Sequence, residues 1–337
     1  MKTALYASAT ALAMVATFGT GAASAQSRDT IQIAGSSTVL PFASIVAEEF
    51  SAAFPEFNTP VVGSGGSSGG LRQFCEGVGE ATIDIANASR PIRPAEVEAC
   101  NAAGVTDIRE VQFGYDGIVF AVSADKGDFA LEPVHVYTAI AAQVYVDGEW
   151  VDNPYTNWNE IDASLPDQPI SLAIPAGNHG TREVFEERVT SAGFEAAAWP
   201  DAPEGAETSF RQDVVIEIAG DYTETLARLQ SNPDTVGVFG LSFYDQNRDT
   251  LKVATVSGIT PSLESIASGE YPVSRPLFFY VKGQHIGAVP GIEEYVAFFL
   301  SDQMAGMGGT LEGAGLIPAP AEETAAVLAA FEAGESL

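Results

Sequence analysis

Three times along this chain an apolar stretch runs into a glycine loop carrying serine, threonine or histidine, and a helical pattern starts directly behind it. The first loop is Gly35-Ser36-Ser37-Thr38-Val39-Leu40-Pro41. The second is the block Gly63-Ser64-Gly65-Gly66-Ser67-Ser68-Gly69-Gly70. The third is Gly177-Asn178-His179-Gly180-Thr181-Arg182. Strand, tight loop and helix in repetition predict an α/β fold, with helices on both faces of mostly parallel sheets. The rest of the chain keeps the alternation. Strands are predicted over 31–35, 59–62, 82–86, 118–122, 170–174, 214–218, 236–239 and 277–281. Helices are predicted over 41–54, from 71 to 76, over 181–189 and 291–300, and from Glu322 to the end. A length of 337 residues exceeds one ordinary core and predicts two domains.

The loops also constrain chemistry. The first N–H groups of a helix have no internal partner, and the dipole there favours negative charge. An oxyanion meets both needs, and glycine lets the backbone approach it without a Cβ in the way. One such loop is equally an ordinary helix cap. Three in one chain point to an anion. Two arginines stand beside them, in a chain with only 15 lysines and arginines. Arg90 lies in Ala88-Ser89-Arg90-Pro91-Ile92, and Arg182 follows Gly180-Thr181. Arg93 is expected to point away from the ligand.

Several classes are disfavoured. The formal net charge of -30 repels nucleic acid and anionic lipid, so an anion must be held by local geometry rather than by the long-range field. The three histidines, His135, His179 and His285, show no metal-ligand spacing, and no cofactor is expected. Gly65-Gly66-Ser67-Ser68-Gly69 matches a nucleophile elbow, which makes a secreted serine hydrolase using Ser67 and His285 the enzymatic alternative. A dinucleotide site fails on the position of its last glycine, and no Gly-x4-Gly-Lys-Ser/Thr run exists.

The start of the chain reads as a signal peptide over 1–25. Lys2 is followed by an apolar run from Ala4 to Phe18 and by Ala23-Ser24-Ala25, so Gln26 is the predicted mature start. In an exported chain, Cys75 and Cys100 predict a disulfide. Closing a loop of roughly 25 residues stabilises by ~3 kcal/mol.

With these stretches in place, the sequence resembles the periplasmic phosphate-binding proteins, the soluble subunits of ABC phosphate importers. The resemblance is carried by Ala34-Gly-Ser-Ser-Thr-Val-Leu-Pro41, Gly66-Ser-Ser-Gly-Gly70, Asp84-Ile-Ala-Asn-Ala-Ser-Arg-Pro-Ile92 and Gly180-Thr-Arg182. Asn232-Pro-Asp-Thr-Val-Gly-Val-Phe-Gly240 and Tyr271-Pro-Val-Ser-Arg-Pro-Leu277 add to it. It implies a two-domain periplasmic binding protein fold, type II-like, with crossing strands and the ligand in the cleft between domains. The first domain is expected from 26–117 and 273–337, the second from 118–272. It also implies periplasmic residence, a monomer, and a membrane permease as partner. An adhesin or matrix role on the same fold is the third class, and another oxyanion the alternative ligand.

Carried over residue by residue, Ser37, Thr38 and Val39 of the first loop and Ser67 of the second bind the anion, with Ser89 and Arg90 beside them. His179, Gly180 and Thr181 stand where the family has Ser-Gly-Thr, and Arg182 follows. Many members carry Asp where this chain has Arg90, and Arg where it has Pro175. Asp116, in Phe113-Gly114-Tyr115-Asp116-Gly117-Ile118 near the expected crossing, is the substitute acceptor for the proton on phosphate. A turn aspartate capping its own backbone is the plain alternative.

Overall fold

A computed structural model describes residues 28–177, 181–219 and 222–337. The predicted signal peptide, His179 and Gly180 lie outside the described residues. Among them, no helix is long and apolar enough to cross a membrane.

The first third builds three parallel strands with helices between. Strand β1 is Gln32–Gly35, helix α1 Leu40–Ala53, β2 Val61–Ser64, α2 Gly66–Phe74, β3 Ile85–Ala88 and α3 Pro94–Ala102. Pro41 sits in the first turn of α1, where a missing N–H costs nothing. Phe42, Val46 and Phe50 follow at helical spacing and are buried. A long strand, β4, then runs Ile108–Ser123. Beyond it come β5 Leu172–Pro175, α4 Arg182–Phe185, β6 Val215–Ile218, α5 Tyr222–Ser231, β7 Val236–Gly240, α6 Leu241–Gln246 and β8 Leu251–Val253. The chain returns through β9 Ser274–Lys282, α7 Ile292–Phe299, β10 Ile317–Pro318 and α8 Ala321–Ala333.

These ten strands form one mixed sheet in the order β2-β1-β3-β9-β4-β7-β5-β6, with β8 and β10 also paired to β4. The expected parallel pairings hold at both ends, β2-β1-β3 and β7-β5-β6. The middle is antiparallel, because β4 and β9 cross the molecule in opposite directions. Residues 108–117 of β4 pair with β9, whereas 118–123 pair with β7 and β8.

Each half of β4 serves its own core. One core gathers Ile33, Phe50, Phe113, Phe279, Tyr295 and Phe299, with a satellite around Leu71, Phe74 and Phe278. The other gathers Val119, Trp158, Ile174, Phe185, Val238 and Phe239. Cys75 and Cys100 are bridged, tying the end of α2 to α3.

Two departures from expectation have local causes. Helix α2 starts at Gly66, inside the glycine block, rather than at Leu71. Gly70 presses against β1, and a Cβ there would lie 2.4 Å from the Gly35 Cα. The helix predicted over 181–189 is α4 followed by a π-helical turn over Glu186–Ser191.

Candidate functional site

The first loop turns sharply off β1. Gly35 has φ +147°, and a Cβ there would meet the Asn87 carbonyl oxygen at 2.1 Å, so no larger residue fits. The Ser36 N–H donates to the same carbonyl at 2.9 Å, and the Leu40 N–H closes back on the Ser36 carbonyl at 3.0 Å. This fold of the loop leaves Ser37 exposed and buries Thr38 and Val39 at the start of α1.

Three elements meet at Thr38. From β9, the Arg275 Nη2 donates to Thr38 Oγ1 at 2.9 Å. From β4, Asp116 Oδ2 lies 3.5 Å from the same Nη2. From α4, Glu183 Oε2 accepts from Thr38 Oγ1 at 2.5 Å and from Ser37 Oγ at 3.1 Å. One turn further on, Glu187 Oε2 accepts from Arg275 Nη1 at 2.7 Å. The Arg275 side chain is only 2% exposed, and its Nε is buried with no hydrogen-bond partner among the described residues. A buried cation with an unused donor, beside hydroxyls that already hold one carboxylate, is suited to receive an anion.

Asp116 sits at the point where β4 passes from β9 to β7, paired with Arg275 across the strands. It is an ordinary strand residue, not a turn. Burial pushes its carboxyl up to about 6, against the opposing pull of Arg275; Glu183 and Glu187 push it further up.

The second loop lies alongside. The Ser89 N–H donates to Ser67 Oγ at 3.1 Å, and the two hydroxyls are 3.1 Å apart. Arg90 is held by both Glu96 oxygens, at 2.8 and 2.9 Å, and donates to Ser68 Oγ at 2.9 Å. That pairing raises the Arg90 guanidinium and lowers the Glu96 carboxyl. Ser67, Ser89, Arg90, Glu183, Glu187 and Arg275 together wall a recess of about 280 Å3. Arg93 also lines it, contrary to the expectation that it points away. A second recess, of about 410 Å3, opens on the other side of Thr38 and Asp116 towards Thr181, Tyr222 and Phe243.

The structure therefore brings Ser37, Thr38, Asp116, Ser67, Ser89 and Arg90 around one cleft. Thr181 lines it too, its Oγ1 accepting from the Tyr222 hydroxyl at 3.4 Å. Arg182 is turned elsewhere. Its Nε pairs with Glu186 at 2.7 Å, its Nη1 with Glu217 at 3.0 Å and the Pro175 carbonyl at 2.8 Å, and it covers the Phe210 ring. Glu217 on the neighbouring strand β6 draws it outward, a partner 35 residues away that the local motif does not reveal. Arg275, Glu183 and Glu187 were not foreseen. The signal available for Arg275 was an arginine opening an apolar strand, in Ser274-Arg275-Pro276-Leu277.

The hydrolase constellation is not assembled. His285 Nδ1 bonds Asp84 at 2.6 Å, and its Nε2 accepts the Gly79 N–H at 3.0 Å. Both ring nitrogens are committed to the fold, and among the described residues Ser67 has only Ser89 as a hydrogen-bond partner. Among the described residues no group of three or more histidines, cysteines or carboxylates could hold a metal ion.

The chain is similar to known proteins over most of its length. The model of the PBP superfamily domain matches residues 20–303. "Protein SphX" of Synechococcus elongatus is 30% identical over 321 residues, 93% of this chain and 84% of that one. "Phosphate-binding protein PstS" of Staphylococcus haemolyticus is 29% identical over 291 residues, 85% of this chain and 80% of that one. Among solved structures, "a possible phosphate binding protein from Planctomyces limnophilus" superposes with a TM-score of 0.71 at 27% identity, covering 91% of this chain and 99% of that one.

Proposed function

The chain belongs to the PBP superfamily, and from that premise we propose that it binds inorganic phosphate between its two cores and delivers it to the membrane permease of an ABC-type importer, catalysing no reaction. Its architecture is the two-domain α/β fold of periplasmic binding proteins. The observation that carries the ligand is Arg275, a buried guanidinium with an unused Nε, set among the hydroxyls of Thr38 and Ser37 and the carboxylate of Asp116.

Each part has a task in this reading. Arg275 supplies charge and a planar fork of donors for two phosphate oxygens. Ser37, Thr38 and Ser67, with the N–H groups at the start of α2, donate to the others. Arg90 and Ser89 complete the wall. Asp116 accepts the proton that phosphate retains at neutral pH and sulfate lacks. The relatives named for phosphate binding support the ligand, and the committed ring of His285 speaks against the hydrolase.

The domains of this reading are 26–117 with 273–337, and 118–272. The exchange of partners along β4 at Gly117/Ile118 supports that division. Export through a cleaved signal peptide, residence in the periplasm and a monomeric state belong to the same proposal.

The test is calorimetric titration of the mature protein, stripped of ligand by unfolding and refolding, with phosphate, sulfate and arsenate. One phosphate site per chain is expected. Ligand at about 100 times the dissociation constant stabilises by ~2.7 kcal/mol and raises the unfolding temperature accordingly. No binding heat and no thermal shift would overturn the function.

A further inference from the structure

The donors assigned to phosphate are already engaged by a side chain of the protein. Glu183, on the second-core side of the cleft, reaches across to the first. Its Oε2 takes the hydroxyl hydrogens of both Ser37 and Thr38, and its Oε1 lies 3.7 Å from Arg275 Nη1. Two hydroxyls and a guanidinium around one carboxylate reproduce half of an oxyanion's coordination. Carboxylate and phosphate offer the same thing to such donors, negative oxygen lone pairs at hydrogen-bonding distance. Glu183 is also half-exposed, so its side chain can swing into water without unpacking either core.

We propose that the Glu183 carboxylate is a built-in competitor for the phosphate site: it docks on Ser37, Thr38 and Arg275 when the cleft is empty and must be displaced before the anion binds. This rests on the phosphate-binding reading of the same site. The charges facing Glu183 make displacement the consistent outcome. Asp116 on β4 and Glu187 in the π-helical turn are two further carboxylates on Arg275. Adding phosphate while Glu183 stays would gather four negative groups on one buried guanidinium. Arg90 cannot offset them, since both Glu96 oxygens hold it. The docked carboxylate also bridges the two sides of the cleft. Apparent affinity is then the intrinsic affinity reduced by the fraction of molecules in which Glu183 has vacated the site.

The experiment is phosphate titration of wild type, Glu183→Gln and Glu183→Asp under one set of conditions. Glutamine keeps the length but loses the charge. Aspartate keeps the charge but is one methylene too short to reach Ser37 and Thr38. If the docked form holds about nine-tenths of the empty protein, both variants bind phosphate about tenfold more tightly than wild type. Unchanged or weaker binding by Glu183→Gln overturns the proposal. So does a tighter glutamine variant with an aspartate variant matching wild type, because charge alone would then be the cause. Wild type that fails to bind phosphate overturns the function itself, and this inference with it.

Discussion

At the scale of single residues, Asp116 and Arg275 carry opposite tensions. Asp116 has a folded-state value of about 6, above its ordinary 3.8. An acid raised in this way contributes stability that is complete below the unfolded value and lost as pH climbs through the folded one. At neutral pH the buried carboxylate thus costs the ligand-free protein on the order of 1–3 kcal/mol. Asp116→Asn should stabilise the empty protein by that amount near pH 7.5 and change little near pH 4, read from urea unfolding at both. The same variant supplies an amide donor where phosphate needs an acceptor, so sulfate affinity should move towards phosphate affinity. Discrimination equal to wild type would place the acceptor elsewhere. Arg275 shows the reverse dependence on ligand. Arg275→Ala removes a buried charge-assisted contact and should cost ~2–5 kcal/mol of phosphate binding. Arg182→Ala should cost far less, because Glu186, Glu217 and the Pro175 carbonyl already occupy that side chain. Equal losses at 182 and 275 in titration would contradict this assignment of the two arginines.

At the scale of elements, the glycines of α2 are not interchangeable. A Cβ on Gly70 would lie 2.4 Å from the Gly35 Cα and 2.8 Å from the Ala34 carbonyl oxygen, whereas one on Gly69 meets nothing closer than Arg72 Nη2 at 4.0 Å. Gly70→Ala should force α2 away from β1, destabilise by ~1–3 kcal/mol and weaken phosphate binding by moving Ser67. Gly69→Ala relieves only helix entropy and should stabilise by ~0.5–1 kcal/mol. Urea unfolding separates the two; equal effects would contradict the close approach. Such contacts also explain what could be read in advance. The strands at both ends of the sheet follow from short β-branched runs such as Ile31–Ile33 and Val236–Val238. The continuity of β4 does not, because Gly114 and Asp116-Gly117 carry turn residues at its middle. They are there for another reason: a Cβ on Gly114 would meet the Ile317 carbonyl oxygen at 2.8 Å, and one on Gly117 the Ser274 Cβ at 3.1 Å. The crossing is crowded, and its pairing with β9 slips by one residue beside Gly114. Likewise the loops around Thr38 and Ser67 were legible from local pattern as glycine-rich starts of helices, and both line the cleft. Which arginine reaches Thr38 was not, since Glu96, Glu187 and Glu217 decide it through contacts made only in the folded molecule.

At the scale of the whole molecule, the proposed phosphate site sits in a chain with a formal net charge of -30. Locally the site is attractive, through one buried guanidinium and a set of hydroxyl and N–H donors. At a distance the molecule is repulsive to any anion. The two regimes are separated by screening: the Debye length is ~30 Å at about 0.01 M salt and ~8 Å at about 0.15 M. At low salt an approaching phosphate meets the field of many surface carboxylates before it meets the cleft. At physiological salt those charges are largely hidden beyond their immediate neighbourhood, while contacts inside the cleft are screened far less. Electrostatic steering in proteins usually speeds association and fades as salt is added. Here the sign is reversed. The association rate constant for phosphate should rise as salt increases from about 0.01 to 0.15 M, with the dissociation rate constant nearly unchanged, because dissociation is governed by Arg275, Thr38 and Asp116 at close range. Stopped-flow mixing of phosphate with the ligand-free protein across that range measures both constants. An association rate that falls with salt would mean that a local cationic field at the cleft mouth outweighs the acidic surface. Arg90 and Arg93, the cations lining the recess beside Arg275, would then be the residues to neutralise next.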